Sequence, residues 1–508
     1  MGFMPKKTIP PIANIIVFQP ELRPVLPTIE GNVDYQEFRQ QLERIEEILV
    51  EGGVERKFVQ LSMEGWVKKG NGPCREKQAR NFQIHSMRAL RCNIARTLLG
   101  EDFRGMSCRI ADSALLQRFC LVDRLDVIRV PSKSALERYS KWLGAQEMRE
   151  VIESLLCAAC DCNPGGPQVL NLEEPLGIEE YFLDTSCVKA NVHFPVDWVL
   201  LRDAARTLVK AMILIRKHGI KHRMSEPQGF LKAMNRLSIQ MTHARRQAES
   251  KKERKRVLRL MKRQVKVIAA HARRHRRLLD EGWQESDLSR KQAEQILRRM
   301  DGILHLLPRA QKQAHERIIG ERLVNNADKV LSLYEREIRV IVRGKAGAEV
   351  EFGNTLVLGE QADGVIVDWK LICGQAPADS RLLVESIQRV ERAVEKKIKS
   401  SAADRGFESS NNVQWLNGQG IYNAICPRDS KELKARLGEP RFRRLQQRRA
   451  QTEARLAIFK NQFLGKPMRA KGFGHREKQI AWGVLTHNLW VIARLPVAVE
   501  EKALQKAA

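Results

Sequence analysis

The chain has 508 residues and a formal charge of +29, from 89 basic against 60 acidic side chains. That length implies more than one domain, since single hydrophobic cores stop growing well before it, and 43% hydrophobic residues exclude wholesale disorder. A positive surplus of this size says little about fold and favours polyanionic partners, nucleic acid first and an acidic membrane second. The membrane reading is weak in the sequence: the apolar run Ala211 to Ile215 is short and is closed by Arg216 and Lys217. Lys6 and Lys7 are followed by Pro10, Pro11 and Asn14, which do not make a secretory hydrophobic region. Ten cysteines fit a reducing cytosol, so the expectation is a soluble cytoplasmic protein.

Residues 1–33 are Pro-rich and read as an extended arm. Residues 34–162 form a helical N-terminal region. Its periodicity starts near Tyr35 and stops at Gly52 and Gly53, and later helices cover Met87–Leu99, ended by Gly100, and Ser107–Cys120. After Pro131, Ser134 and Glu137 have capping-box spacing before Leu136, Tyr139 and Leu143. Helix, short connection and capped basic helix outline a helix-turn-helix, with Lys133, Arg138 and Lys141 as candidate DNA contacts; an ordinary helical bundle is the alternative.

The stretch 163–177 is a linker by composition, and Glu179–Val188 reads as a strand carrying Asp184, within a first core segment at 178–196. Residues 197–330 return to helical periodicity. Their centre, Arg245 to Arg277, holds fifteen basic residues against two acidic ones. Solvated helix faces usually mix both signs, so this density suggests phosphate neutralisation, with Arg273, Arg274, Arg276 and Arg277 as candidates.

Residues 331–495 change character. Glu337–Val342, Glu349–Leu358 and Gly364–Ile372 read as a three-strand meander. A helix follows at Asp379–Lys396, then a strand closed by Asp404, a short strand at Gly420–Cys426 and a helix from Pro440; 496–508 is a tail. The order predicts an α/β class with a mixed sheet and flanking helices, interrupted by the helical insertion.

Asp184 and Asp404 stand at predicted strand ends, where a sheet presents side chains into a crevice; Glu453 lies in a helix bounded by Pro440, Gly465 and Pro467. Converging carboxylates repel unless cations neutralise them, and oxygen-only ligands suit Mg²⁺ or Mn²⁺. A pair of such ions serves phosphodiester transfer. At about 100° per residue, Arg449 and Lys460 fall within roughly 40° of Glu453, so one helix face presents cation, acid, cation. Taken alone this is also the pattern of a solvated ion-pair face.

The segments Leu183–Leu201 (LDTSCVKANVHFPVDWVLL), Arg343–Gly353 (RGKAGAEVEFG) and Ala403–Phe407 (ADRGF), the spacing Arg449, Glu453, Lys460, and the closing Gly472–Arg494 resemble bacterial insertion-sequence transposases with a DDE catalytic domain. The resemblance implies an RNase H-like fold with a helical insertion after the first strand. It implies a catalytic, metal-holding triad at Asp184, Asp404 and Glu453, two Mg²⁺ or Mn²⁺ ions, and Arg449 and Lys460 holding DNA ends. Partners would be double-stranded DNA, both element ends and target, and a second copy of the chain when DNA is bound. Gln446 stands where the family usually has tyrosine, and Asn191, Pro195 and Asp197 shape the loop after the first acid. A non-catalytic DNA-binding protein and an RNase H-like nuclease without strand transfer are the alternative functions.

Other constellations are read as structural. Cys157, Cys160 and Cys162 lack a fourth zinc ligand at finger spacing. His271 and His275 sit among arginines that disfavour a metal. Lys345 lacks the ending of a phosphate loop. His487 and Asn488 are placed on a packed helix, and Asp368 and Glu351 in the meander.

Overall fold

The computed structural model describes residues 26–68, 76–124, 127–161, 169–192, 196–246, 250–345, 348–465 and 468–498. Most of the Pro-rich arm, the first part of the linker with Cys162, Pro195, Ala346 and Gly347, Pro467 and the end of the tail lie outside the described residues.

The N-terminal region contains seven described helices. α1 (Val33–Glu51) starts where the Asn32 side chain accepts the Tyr35 amide, and it stops at Gly52 with Gly53 at φ +68°. α2 (Val54–Lys68), not singled out by the sequence, follows at once, and α3 (Glu76–Leu98) ends before Gly100. The expected helix at Ser107–Cys120 is two, α4 (Phe103–Asp112) and α5 (Ala114–Phe119). Ser113 leaves helical dihedrals and its hydroxyl accepts the Leu116 amide, which restarts the chain as a new helix. α6 (Lys133–Tyr139) is capped by Ser132 rather than Ser134, and Glu137 pairs with Lys141 instead of completing a capping box. α7 (Ala145–Ala159) completes the region.

The sheet has six strands: β1 (Glu180–Lys189), β2 (Arg339–Lys345), β3 (Ala348–Glu360), β4 (Ile366–Leu371), β5 (Ser400–Ala403) and β6 (Tyr422–Ile425). Their order is β2-β3-β1-β5-β6, with β4 also on β3. β3 is long enough to pair with β2 over its first half and β4 over its second, along one edge. Its other edge pairs antiparallel with β1, while β5 and β6 continue the sheet in parallel. The β1–β5 pairing ends at Leu183 opposite Ala403, so Asp184 and Asp404 each follow the last paired residue.

Helices cover both faces. α15 (Pro440–Ile458) packs Phe442 and Leu445 on Phe182, Ala402 and Ala424, and runs on as a π-helical turn at Phe459–Leu464. α12 (Leu383–Val394) and α16 (Phe473–Ile492) cover the opposite face. There the buried cluster is continuous with that of α1–α7, so the N-terminal helices share the core of the sheet. α13 (Ser410–Gly418) connects β5 to β6, and α14 (Ser430–Leu437) leads from β6 into α15. The insertion is built differently. α8 (Asp197–Lys217), α9 (Pro227–Arg246), α10 (Lys251–Gly282) and α11 (Arg290–Ala314) bury their apolar stripes against one another in a separate cluster.

Two buried polar networks fix the layers. Arg476 of α16, 1% exposed, donates to Asn354 of β3 and to Glu335, which also accepts the Gly472 amide; this clamps the chain as it returns from the insertion. On the same face, Tyr181 and Ser386 hydrogen-bond, Ser386 donates to Asp368, and Arg389 grips Asp368 with two donors. Gly359 lies beneath this chain of contacts: a Cβ there would stand 1.9 Å from the Tyr181 hydroxyl. Gly359→Ala must therefore displace a buried ring with a fixed partner, and is expected to destabilise the protein by about 1–3 kcal/mol in urea denaturation, the range of overpacked cores. A change within error would mean that Tyr181 moves freely.

Candidate active site

β1 and α15 meet along the even-numbered residues of the strand, which share one face. Glu180 binds Arg444, Phe182 lies under the Arg448 guanidinium at 4.6 Å, and Ser186 accepts from Lys460 Nζ at 2.8 Å. Asp184 occupies the remaining even position, between Phe182 and Ser186. Its carboxylate is 8% exposed and accepts the Thr185 amide at 2.7 Å.

Burial pushes the Asp184 carboxyl up to about 6, and the neighbouring Asp404 and Glu453 carboxylates add to the rise. The Thr185 amide and the Arg449 guanidinium oppose it. The strand, the segment just after β5 and the middle of α15 thus bring three acids and one arginine into a single electrostatic neighbourhood. Asp404 is half-buried, held by the Gly406 amide at 2.8 Å, and Glu453 is exposed on α15.

The neighbouring arginines of α15 divide their work. Arg448 donates to Glu360 at 2.8 Å and to the carbonyls of Gln361 and Ala362, while Thr452 donates to the same Glu360; these contacts bind the helix to the end of β3. Arg449 instead receives support from Gln446, whose amide oxygen accepts its Nε, and its Nη1 is buried with no partner among the described residues. Gln446 also donates to the carbonyls of Ala403 and Ala424, so it ties α15 to the ends of β5 and β6 and orients Arg449.

Sequence reasoning missed Asp379, at the start of the 3-10 turn before α12. It accepts from the Thr185 hydroxyl at 3.3 Å, and a Cβ on Gly406 would lie 2.9 Å from Asp404 and 3.1 Å from Asp379. Asp379 and Asp404 therefore flank Gly406 so closely that a side chain there would have to push their carboxylates aside. The signal was the glycine of ADRGF; Asp379 itself read as a helix start. A cleft of about 310 Å³ opens beside Thr185 and Asp379.

The remaining expectations sort cleanly. Asp197 accepts from Gln313 and Arg317 and belongs to the core of the insertion, in keeping with a shaping role. Asp368 is held by Arg389, and Glu351 pairs with Lys189. His487 is buried and depressed to about 4 by that burial, with edge-on contacts to Phe459 and Phe463; Asn488 makes a two-way bond to the Ile366 backbone. Lys133 and Arg138 are exposed on α6, with Lys141 engaged by Glu137. Arg276 is committed to Asp280 and Asp301, Arg274 approaches His222, and Arg273 and Arg277 are exposed; all four lie in the insertion's bundle.

Among the described residues no helix is long and apolar enough to cross a membrane, and no three His, Cys, Asp or Glu side chains are closed into a metal-binding group. Set against known protein families, curated proteins and solved structures, the chain matches none.

The raised Asp184 carboxyl fixes a sign. Because the folded state holds this proton more tightly than the unfolded state, stability falls as pH rises from about 4 to 6, by about 3 kcal/mol from this group. Asp184→Asn, which keeps the acceptor for the Thr185 amide, is expected to be more stable than the parent at pH 7.5 in chelator, with the gap shrinking toward pH 4. Urea denaturation at both pH values measures it; a gap equal at both would show that Asp184 is not held protonated by its surroundings.

Proposed function

We propose that the protein is a DNA transposase of the DDE type with an RNase H-like catalytic domain. It would bind the terminal inverted repeats of an insertion sequence and catalyse cleavage and strand transfer at phosphodiesters in the bacterial cytoplasm. The observation that carries this reading is the convergence on Asp184 of Asp404, Glu453 and Arg449, four residues from three separate elements. The sheet supports the fold assignment: a first strand flanked by an antiparallel and a parallel neighbour, with acids where the parallel pairing ends.

The donor set fits a hard divalent cation. It is all oxygen, and a divalent charge would offset the burial, and with it the neighbouring carboxylates, that push the Asp184 carboxyl up to about 6. Asp184, Asp404 and Glu453 would hold Mg²⁺ or Mn²⁺, which as a pair of ions supplies charge for the attacking and leaving oxygens of in-line displacement. The chain's own residues do the rest. Arg449 offers a buried donor with no protein partner to a phosphate oxygen, and Gln446 keeps it aimed. Lys460, seated on Ser186, places a second cation beside the acids. Pairing two element ends brings two copies of the chain together on DNA.

Cleavage of DNA carrying the element's ends, with Mg²⁺, tests the proposal. Asp184→Asn, Asp404→Asn and Glu453→Gln are each expected to lower the rate by about 10²-fold or more while leaving DNA affinity in chelator intact. Equal cleavage by the parent and all three variants would remove the triad. Cleavage without joining of the freed 3′ end to target DNA would leave a nuclease.

A further inference from the structure

α10 carries a feature that the carboxylate site does not use. Between Glu253 and Asp280 it has no acidic residue, and Arg259, Lys262, Arg263, Lys266, Arg273 and Arg277 fall within an arc of about 100° on the helix. Five of these six (all but Lys262, which reaches His315 at 3.2 Å) have side chains in no hydrogen bond or ion pair among the described residues, and all five are exposed. The cations outside the arc are used differently: Arg256 pairs with Glu253 and Arg276 with Asp280 and Asp301. Glu253 and Asp280, near the two ends of the helix, are thus taken by other arginines. Lys262, Arg263, Lys266 and Arg273 also border a groove of about 280 Å³, whose other wall is Leu307 and Pro308 of α11.

Like charges held in register on a rigid rod repel one another, and among the described residues none of the five is ion-paired; the one acid on the arc, Glu281, stands at its C-terminal end. From Arg259 to Arg277 the stripe runs about 27 Å at 1.5 Å per residue. A duplex carries about one phosphate charge per 1.7 Å of its axis, so a stripe of this length can meet several phosphates. No aromatic residue lies on the arc to stack on unpaired bases, and its only large exposed apolar neighbour on this stretch is Val267, too little to enter a bilayer.

We propose that this stripe is a docking surface for the backbone of duplex DNA, separate from the carboxylate site. It tracks one strand through phosphate contacts that carry no sequence information. The inference rests on the proposed action on DNA, yet it concerns binding rather than cutting.

The test uses the full chain and a 30-base-pair duplex of arbitrary sequence in chelator, titrated across salt. Replacing Arg259, Arg263, Lys266, Arg273 and Arg277 together by Ala is expected to weaken binding by about 10²-fold at low salt. It should also flatten the slope of log affinity against log salt by roughly four to five. Arg-to-Lys replacements at the four arginines, which keep the charge, are expected to retain the slope. An Ala variant with an unchanged slope would overturn the surface, as would preferential binding of the parent to single strands or to phosphatidylserine vesicles. A flattened slope in the Ala variant, together with a parent that cuts no DNA with Mg²⁺, would leave this surface standing and remove the transposase reading.

Discussion

The contact between β1 and α15 is the constraint on which the molecule is built. Four successive even positions of one strand meet one helix through four kinds of interaction: an ion pair at Glu180, a cation over a ring at Phe182, an acid among charges at Asp184 and a lysine on a hydroxyl at Ser186. A slip of one residue would turn Asp184 toward the apolar face occupied by Tyr181 and Leu183. Buried Phe442 and Leu445 hold the helix against the sheet, and the Arg448–Glu360 pair fixes how far along β3 it sits. Position and chemistry therefore come from the same helix.

That arrangement sets opposing demands side by side. The packing that makes the helix register definite also removes Asp184 from water, which disfavours its charge. Arg449 lessens the disfavour without cancelling it. Adjacent residues on one helix thus have unlike roles: Arg448 is saturated by β3 and its following loop, and Arg449 retains an unpartnered donor beside the acids.

Much of this was legible in the sequence where local rules govern. The strand alternation located β1, β3 and β4 to within a few residues, and Pro440 and Gly465 bracketed the helix that carries Glu453. Asp404 stands just after its strand as expected. Asp184 lies within β1 and not at its end, because antiparallel pairing with β3 continues to Lys189 after the parallel pairing with β5 has stopped. What the sequence hid depends on partners distant along the chain. Gln446 stands out in the sequence only as a departure from the tyrosine of the resembled family, and its amide is engaged by backbone carbonyls of β5 and β6. Asp379 looked like a helix start, and it faces Thr185 across the fold. The run of arginines in α10 looked uniform, and only tertiary pairing separates Arg276 from Arg273. The choice of Ser132 over Ser134 as a cap turns on two residues, a distinction periodicity does not make.

The insertion keeps a core of its own and leaves the sheet after β1, to return through Glu335 into β2. Its internal side chains answer to one another rather than to the strands. Such a module can change in length, surface charge and helix count without disturbing the sheet, provided that its two attachment points stay fixed. The carboxylates of the sheet and the charge of the insertion can therefore vary separately, because no shared core ties one to the other.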